Sequence, residues 1–281
     1  MHILLVTPIY SQHYDSGHFW VRALNQLGHF VTVWDYRLDK SPPPFTRYPD
    51  LTLVLKGEGL DPHSLPGPRF CYWPDALERT PGIEGVLRGY DKVFTPVRPT
   101  PDWMEWLPTG WDPTIHRDLE LDRMIDSIYV GTANSPYKVN VVSRIRPTLV
   151  FGNNWPREVE PSRSGWSRGP IYLNEMVRWF NASKILINVH QSSEVGLNRK
   201  FFEMIACGFT LTDHVPGVED VLGYDLTSEV VFSSVKHARG MIQYYLEHPK
   251  EREILWRRER EVIEPYTYLK AAERILDTRL W

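Results

Sequence analysis

The segment His2-Ile3-Leu4-Leu5-Val6-Thr7-Pro8, together with the residues that follow it, indicates the fold class of this 281-residue chain. Its apolar run predicts a buried parallel strand. Apolar residues between Phe19 and Leu27 then recur at helical spacing, and a second strand is predicted from Phe30 to Val33. Because a strand, a helix and a strand in this order place the two strands side by side and parallel, the N-terminal part predicts a Rossmann-like α/β domain.

The same alternation begins again in the second half of the chain. A strand predicted at Ser127 to Val130 leads into Gly131-Thr132-Ala133-Asn134-Ser135, and strands and helices alternate from there to Thr212. We therefore predict two doubly wound Rossmann-like domains that face each other across a cleft. The predicted boundaries are 1–110 for the N-terminal domain, 111–265 for the C-terminal domain, and 266–281 for a last helix that could pack back on the first domain.

Composition narrows the class of protein. With 42% hydrophobic and 24% charged residues the chain can bury a core, and it holds no apolar run near the ~20 residues of a membrane span. The two cysteines, Cys71 and Cys207, lie far apart without metal-ligand spacing, which favours a reducing compartment and a cytoplasmic location. A formal net charge of -3 gives no overall attraction to nucleic acid.

The segment from Asn188 to Gly208 carries the sharpest functional signal. Arg199 and Lys200 open a predicted helix, and their charges add to the partial positive charge of the helix N-terminus, which suits a diphosphate. Glu203, one turn further on, could accept two hydrogen bonds from a ribose diol. The alternative is an ordinary surface ion pair between Glu203 and either cation, worth less than ~0.5 kcal/mol.

In this segment the chain resembles the CgeB-like glycosyltransferases, which are related to the retaining enzymes of the GT-B architecture. The resemblance rests on the Phe-Glu-x-x-x-Cys-Gly pattern that ends at Gly208. It extends to Trp106–Gly110 with His116, Asp126–Gly131 with Pro136–Lys138, Tyr172–Asn188 and Tyr266–Tyr268. It implies a GT-B fold and transfer of a hexose or pentose from a nucleoside diphosphate to an acceptor hydroxyl, with retention of configuration favoured.

The resemblance also implies roles for individual residues. Glu203 would bind the donor ribose, and Arg199 and Lys200 the diphosphate. Gly131 and Thr132 would approach the phosphates, where a missing side chain lets backbone N–H groups close in. The predicted donor-binding set is completed by Gly152, Asn153, Asn154 and Trp155 for the base, and by Lys138, His190 and Asn198.

Catalytic candidates come from both domains. Many retaining relatives carry two glutamates with seven residues between them, whereas Glu194 and Glu203 enclose eight; Glu194 is a candidate for contact with the sugar, or else an exposed loop carboxylate. An inverting enzyme needs a base near the acceptor, and Asp15, His18 or Asp75 of the first domain could serve. The alternatives are a capping or surface histidine for His18 and an ordinary turn residue for Asp75.

The sequence indicates what the reaction needs besides the protein, but it leaves the acceptor open. It has no Asp-x-Asp pair, so no metal site and no required cofactor are predicted, and a UDP-sugar is the favoured donor. Cations and the helix dipole would then stabilise the departing nucleoside diphosphate. The acceptor stays open among a small molecule, a polysaccharide, a protein and hydroxymethylated bases in DNA. Two competing hypotheses use the same fold: a sugar-nucleotide epimerase and a non-catalytic nucleotide-sugar binder.

Overall fold

A computed structural model describes residues 1–8, 16–156, 167–191 and 196–278 of the chain. It divides into two compact units, the first made of Met1–Thr109 with Tyr268–Trp281 and the second of Gly110–Thr267. Each unit contains a parallel six-stranded sheet with helices packed on it, which confirms the predicted fold class. No helix in the described part of the chain is both long and apolar enough to cross a membrane.

The first unit is built on a sheet whose strands run in the order β2-β1-β3-β4-β5-β6. Its elements are β1 (His2–Thr7), α1 (Ser16–Gln26), β2 (Phe30–Asp35), β3 (Leu51–Leu55), β4 (Arg69–Tyr72), α2 (Ile83–Leu87), β5 (Lys92–Thr95), β6 (Glu105–Trp106) and the final helix α9 (Tyr268–Asp277). Helix α9 packs on α1, where the ring of Tyr268 stacks on that of Phe19 at 5.2 Å between centroids. Leu4, Val54 and Trp73 are fully buried in a hydrophobic core that also includes Leu87 of α2.

The second unit has strand order β12-β11-β10-β7-β8-β9. Its elements are β7 (Ile125–Val130), α3 (Pro136–Ile145), β8 (Leu149–Phe151), β9 (Ser167–Arg168), α4 (Leu173–Asn181), β10 (Ser183–Asn188), α5 (Arg199–Cys207), β11 (Thr210–Asp213), α6 (Val218–Val230), β12 (Val231–Phe232), α7 (Val235–Glu247) and α8 (Pro249–Ile263). The chain order reverses between the neighbouring strands β7 and β10. In open parallel sheets ligands bind beyond the carboxyl ends of the strands at such a reversal.

Helix α6 is the main element that the sequence pattern did not predict. Gly223 interrupts it with φ 74° and ψ 162°, a conformation that favours glycine, and the helix continues on either side of this kink. The interruption breaks the 3.6-residue periodicity over the segment, so the apolar residues do not line up as they do along a straight helix.

Candidate functional site

The site is built around the first turn of α5, which follows β10 at the strand-order reversal of the second unit. Asn198 is the N-cap, and its Oδ1 accepts a hydrogen bond from the N–H of Phe201 at 2.8 Å. Gly110 lies against this turn, because a Cβ there would be 2.9 Å from both Cα and O of Arg199. Close packing of this kind fixes where the helix begins.

Glu203 lies one turn into α5 and is almost fully buried, with 1% of its side chain exposed. Its Oε1 is 2.9 Å from Arg199 Nε and 3.6 Å from His116 Nε2, while its Oε2 is 3.8 Å from Lys200 Nζ. Burial alone would raise the pKa of this carboxyl, but the charges of Arg199 and Lys200, with a smaller effect of His116, lower it below the usual value. Glu203 is therefore an ionised buried carboxylate whose charged neighbours are Arg199 and Lys200.

One oxygen of this carboxylate is unsatisfied. Glu203 Oε2 has no hydrogen-bond partner among the residues that the structure describes, and Lys200 at 3.8 Å is beyond hydrogen-bond distance. A buried acceptor without a donor costs about 1 to 3 kcal/mol, and more when it is charged. The oxygen therefore has an unused capacity to accept a hydrogen bond.

The cations predicted for this site lie on two helices. Lys200 is partly exposed and its Nζ lies 3.2 Å from Met176 Sδ of α4. Burial lowers the pKa of the Lys200 ammonium, the charges of Arg199 and Lys138 lower it further, and that of Glu203 opposes them. Lys138, in the first turn of α3, is therefore close enough to act on Lys200, and the three predicted cations form one electropositive cluster.

His116 completes the cluster from a segment distant in sequence. Its side chain is fully buried, and its Nδ1 accepts the N–H of Asp112 at 3.0 Å. Burial lowers the pKa of the imidazole despite the opposing charge of Glu203. A neutral ring whose Nδ1 accepts must carry its proton on Nε2, the atom that faces Glu203. In the sequence, His116 is singled out only by the resemblance to the CgeB-like glycosyltransferases. Its position in the chain does not predict the contact with Glu203.

The loops after β7 and β8 are tied to each other. The N–H of Ala133 donates to Asn153 O, and Trp155 Nε1 donates to Gly131 O at 2.8 Å. Gly152 has φ 142°, and a Cβ there would lie 2.0 Å from Gly131 O, so only glycine fits. These contacts bring together the residues predicted for the phosphates and for the base.

Two details of these loops differ from the expectation. The Gly131 N–H donates to Phe151 O at 2.9 Å within the strand ladder, and a Cβ at Gly131 would meet the Tyr129 hydroxyl at 2.6 Å. The space at Gly131 is therefore needed for Tyr129, and its own N–H is already used. Thr132 is partly exposed, whereas Asn153 and Asn154 are exposed to solvent.

His190, predicted as a donor-binding residue, is fully buried. Its backbone N–H and Nδ1 both contact the carboxylate of Asp213, and its Nε2 lies 3.3 Å from the N–H of Asn198. Asn188 approaches the same ring at 3.4 Å. The backbone N–H and both ring nitrogens of His190 thus contact protein groups, and its ring contacts the N-cap residue of α5.

The catalytic candidates are distributed differently. Asp15 and Glu194 lie outside the described residues. In the first unit Asp75 pairs with Lys56, Oδ2 to Nζ at 3.0 Å, and its Oδ1 is 3.9 Å from Arg79. The ion pair between Lys56 and Asp75 therefore links the loop after β3 to the loop after the adjacent strand β4. His18 is partly exposed in the first turn of α1.

A cavity of about 800 Å³ lies elsewhere in the second unit, between the last turn of α3 and helix α7. It is an open groove, and none of the site residues described above lines it. Its lining includes four exposed cations: Arg144, Arg146, Lys236 and Arg239. The groove is therefore a different surface from the cluster at α5.

Among the described residues, no three His, Cys, Asp or Glu side chains are grouped as a metal ion requires.

A family model matches the part of the chain that contains α5. Residues 138–277 match the model of the family described as glycosyl transferase-like, a range that contains α5 and its cations. No curated protein matches the chain in sequence.

Several solved structures share the fold over nearly the whole chain. Sucrose-phosphate synthase from Thermosynechococcus elongatus has a TM-score of 0.71 at 12% identity and covers 99% of this chain and 98% of its own. Anabaena Alr3699/HepE in complex with UDP-glucose has a TM-score of 0.69 at 10% identity and covers 99% of each chain. The DNA-modifying enzyme β-glucosyltransferase has a TM-score of 0.68 at 11% identity and covers 97% of each. At these identities the likeness establishes the GT-B fold.

Proposed function

We propose that this chain, whose residues 138–277 match a glycosyl transferase-like family, transfers a sugar from a nucleoside diphosphate donor to an acceptor hydroxyl. The second unit would bind the donor at the first turns of α3 and α5. The observation that carries the proposal is Glu203 Oε2, a buried carboxylate oxygen that lacks a hydrogen-bond donor among the described residues and is surrounded by cations at the strand-order reversal. A ribose hydroxyl would supply that donor.

The cations suit the other end of the nucleotide. A guanidinium has five N–H donors, so Arg199 can bridge the carboxylate of Glu203 and a phosphate at the same time. Lys200 and Lys138 add charge beside it. As the bond between the anomeric carbon and the diphosphate oxygen breaks, negative charge builds on the leaving group, and fixed positive groups stabilise that charge. The acceptor oxygen forms the new bond to the anomeric carbon, and its proton passes to the departing diphosphate or to solvent.

The same proposal includes the need for a metal ion, the identity of the donor, the stereochemistry and the class of acceptor. The protein cations support leaving-group stabilisation without a metal ion, and the likeness in fold to proteins solved with UDP-glucose supports a UDP-sugar donor. Retention of configuration rests on the resemblance described above. Two of the structural neighbours act on or are bound to DNA, so hydroxymethylated DNA belongs in the acceptor panel beside polysaccharides, proteins and small molecules.

The donor site can be tested by calorimetry and thermal shift with a panel of nucleoside diphosphate sugars. At a hundredfold excess over its dissociation constant, a ligand specific for the folded state stabilises it by ~2.7 kcal/mol. We expect one donor, a UDP-sugar, to bind the wild type and Arg199→Ala to lose most of that affinity. The matched control is Arg257→Ala, which removes an arginine from another ion pair at i and i+4 on a helix of the same unit.

The outcomes distinguish the competing functions. Binding with release of the nucleoside diphosphate and transfer to an acceptor supports the proposal, and turnover that persists in EDTA supports metal independence. Binding without turnover with any acceptor points to a nucleotide-sugar binder, and interconversion of donor sugars points to an epimerase. If no nucleotide or nucleotide sugar binds at millimolar concentration, the proposed function is wrong.

A further inference from the structure

A single buried carboxylate connects the two helices that begin at the strand-order reversal. Asp213, the last residue of β11, is 4% exposed. It accepts the backbone N–H of His190 at 3.0 and 3.1 Å, lies 2.7 Å from His190 Nδ1, and accepts the hydroxyl of Tyr137 at 3.4 Å. Since a buried charge is costly unless hydrogen bonds satisfy it, these contacts hold both partners in place.

The contact with His190 reaches the first turn of α5. A ring whose Nδ1 donates to Asp213 is left with Nε2 as an acceptor, and that atom faces the N–H of Asn198 at 3.3 Å. Asn198 is the N-cap of α5 and is immediately followed by Arg199 and Lys200. Asp213 therefore fixes the tautomer of His190, and the tautomer fixes the start of the helix that carries the cations.

The contact with Tyr137 reaches the first turn of α3. Tyr137 is the second residue of that helix, and the N-cap Ser135 accepts the N–H of Lys138 at 3.2 Å in the same turn. Tyr137 as a whole is 39% exposed, while its hydroxyl contacts the buried carboxylate. Helices α3 and α5 follow the neighbouring strands β7 and β10.

We propose that Asp213 is a positioning residue for the diphosphate, which sets the first turns of α3 and α5 relative to each other through Tyr137 and His190. The inference rests on the proposed function, in which these two turns bind the donor phosphates. A diphosphate is held by several N–H groups and cations at once, so its affinity depends on how accurately they are placed. A monophosphate makes fewer such contacts and is less sensitive to their placement.

The test measures the affinities of UDP and UMP for the full-length chain by calorimetry, in the wild type and in Asp213→Asn. An amide offers one acceptor oxygen and an NH₂ group, so it cannot accept all the donors that the carboxylate accepts. If His190 changes tautomer in response, a proton on Nε2 would oppose the N–H of Asn198. We expect the preference for UDP over UMP to fall about tenfold, with the affinity for UMP within about twofold.

Glu259→Gln is the matched control. Glu259 also carries a buried carboxyl group, and it accepts the N–H of Thr210 at the opposite end of β11 from Asp213. We expect its UDP-to-UMP preference to equal that of the wild type. Loss of the preference in both variants would show that general destabilisation is responsible, and the proposed role of Asp213 would be wrong.

The remaining outcomes keep the two proposals apart. If the wild type binds neither nucleotide, the proposed function fails first. If the wild type prefers UDP and Asp213→Asn keeps the same preference, the positioning role is overturned while the function stands. Should Asp213→Asn not fold, Tyr137→Phe removes only the hydroxyl of an exposed tyrosine; a two- to fivefold smaller preference supports the inference, and an unchanged preference overturns it.

Discussion

Arg199 Nε lies 2.9 Å from Glu203 Oε1, one helical turn apart on α5, and the two side chains differ sharply in exposure at 34% and 1%. The arginine thus joins a buried charge to the surface of the second unit. An exposed pair at this spacing is worth only a few tenths of a kcal/mol, whereas loss of one member of a buried pair costs several. The pair therefore contributes to the stability of α5 as well as to the electrostatics of the site.

Replacing Glu203 by glutamine keeps its shape and removes its charge. We expect Glu203→Gln to lower the free energy of unfolding by roughly 2 kcal/mol, because Arg199 and Lys200 lose their counter-charge. UDP affinity should fall about tenfold, because an amide oxygen accepts a ribose hydroxyl less strongly than a carboxylate does. Urea denaturation and calorimetry measure the two effects.

Glu253→Gln is the control for this change, since Glu253 pairs with an arginine at i+4 on α8 but is 44% exposed. Its effect on stability should stay within about 0.5 kcal/mol. Equal effects of the two substitutions on stability and on binding would contradict a special role for Glu203.

Gly110 tests the packing under the first turn of α5. A Cβ at this position would lie 2.9 Å from backbone atoms of Arg199 and from the ring of Phe202, so Gly110→Ala must displace the turn. We expect a loss of about 1 to 3 kcal/mol in unfolding free energy and weaker UDP binding. Gly240→Ala is the converse: nothing lies within 4 Å of its added Cβ in helix α7, and stability should rise by up to ~1 kcal/mol. The prediction fails if Gly110→Ala is as stable as the wild type.

The sequence predicts the two Rossmann-like sheets because local patterns encode them. Apolar runs such as His2–Thr7 and Ser183–Asn188 form buried strands, and the helices between them show clear 3.6-residue periodicity. Helix α6 escapes this approach because Gly223 breaks its period, as described above. Fold class therefore follows from spacing wherever each element is regular.

The site is predictable only in part. The gathering of Arg199, Lys200 and Glu203 follows from helix geometry, since residues three and four apart share a face. The burial of Glu203 does not, because helical spacing puts Arg199, Lys200 and Glu203 on the side away from the apolar residues Phe201 and Phe202, and such a side is usually exposed. A distant segment brings His116 to within 3.6 Å of it, and no spacing in the sequence encodes that contact. The same is true of Asp213 and His190, which are 23 residues apart.

Asp75 distinguishes a base-catalysed mechanism from transfer with retention. Its carboxylate is ion-paired with Lys56 at 3.0 Å, and under retention no base is required at the acceptor. We expect Asp75→Asn to lower kcat for UDP release from UDP-glucose by less than tenfold, with water as the acceptor. A catalytic base would instead account for a factor of about 10² to 10⁴. Asp91→Asn, which breaks the Arg69 pair of the same unit, controls for loss of an ion pair.

Glu259 of α8 should make stability depend on pH. Its side chain is fully buried, Oε2 accepts the N–H of Thr210 at 3.2 Å, and Oε1 has no hydrogen-bond partner within the described part of the chain. Burial raises the pKa of this carboxyl well above its usual value, although the N–H of Thr210 opposes the shift. At pH values between the pKa of the unfolded chain and that of the folded protein, the folded protein therefore keeps a proton on Glu259 that the unfolded chain has lost. The contribution to stability is fully present below the unfolded pKa and is lost as pH rises through the folded pKa, by up to ~1.4 kcal/mol per pH unit.

Urea denaturation at pH 5 and at pH 8 measures this contribution from Glu259. We expect the wild type to lose more unfolding free energy between the two pH values than Glu259→Gln does, by roughly 1 to 3 kcal/mol, because glutamine has no proton to lose. Glu253→Gln, on the same helix but partly exposed, should follow the wild type. Parallel pH dependence in Glu259→Gln and the wild type would show that the Glu259 carboxyl titrates alike in the folded and unfolded chains, and that its burial has no energetic consequence in this range.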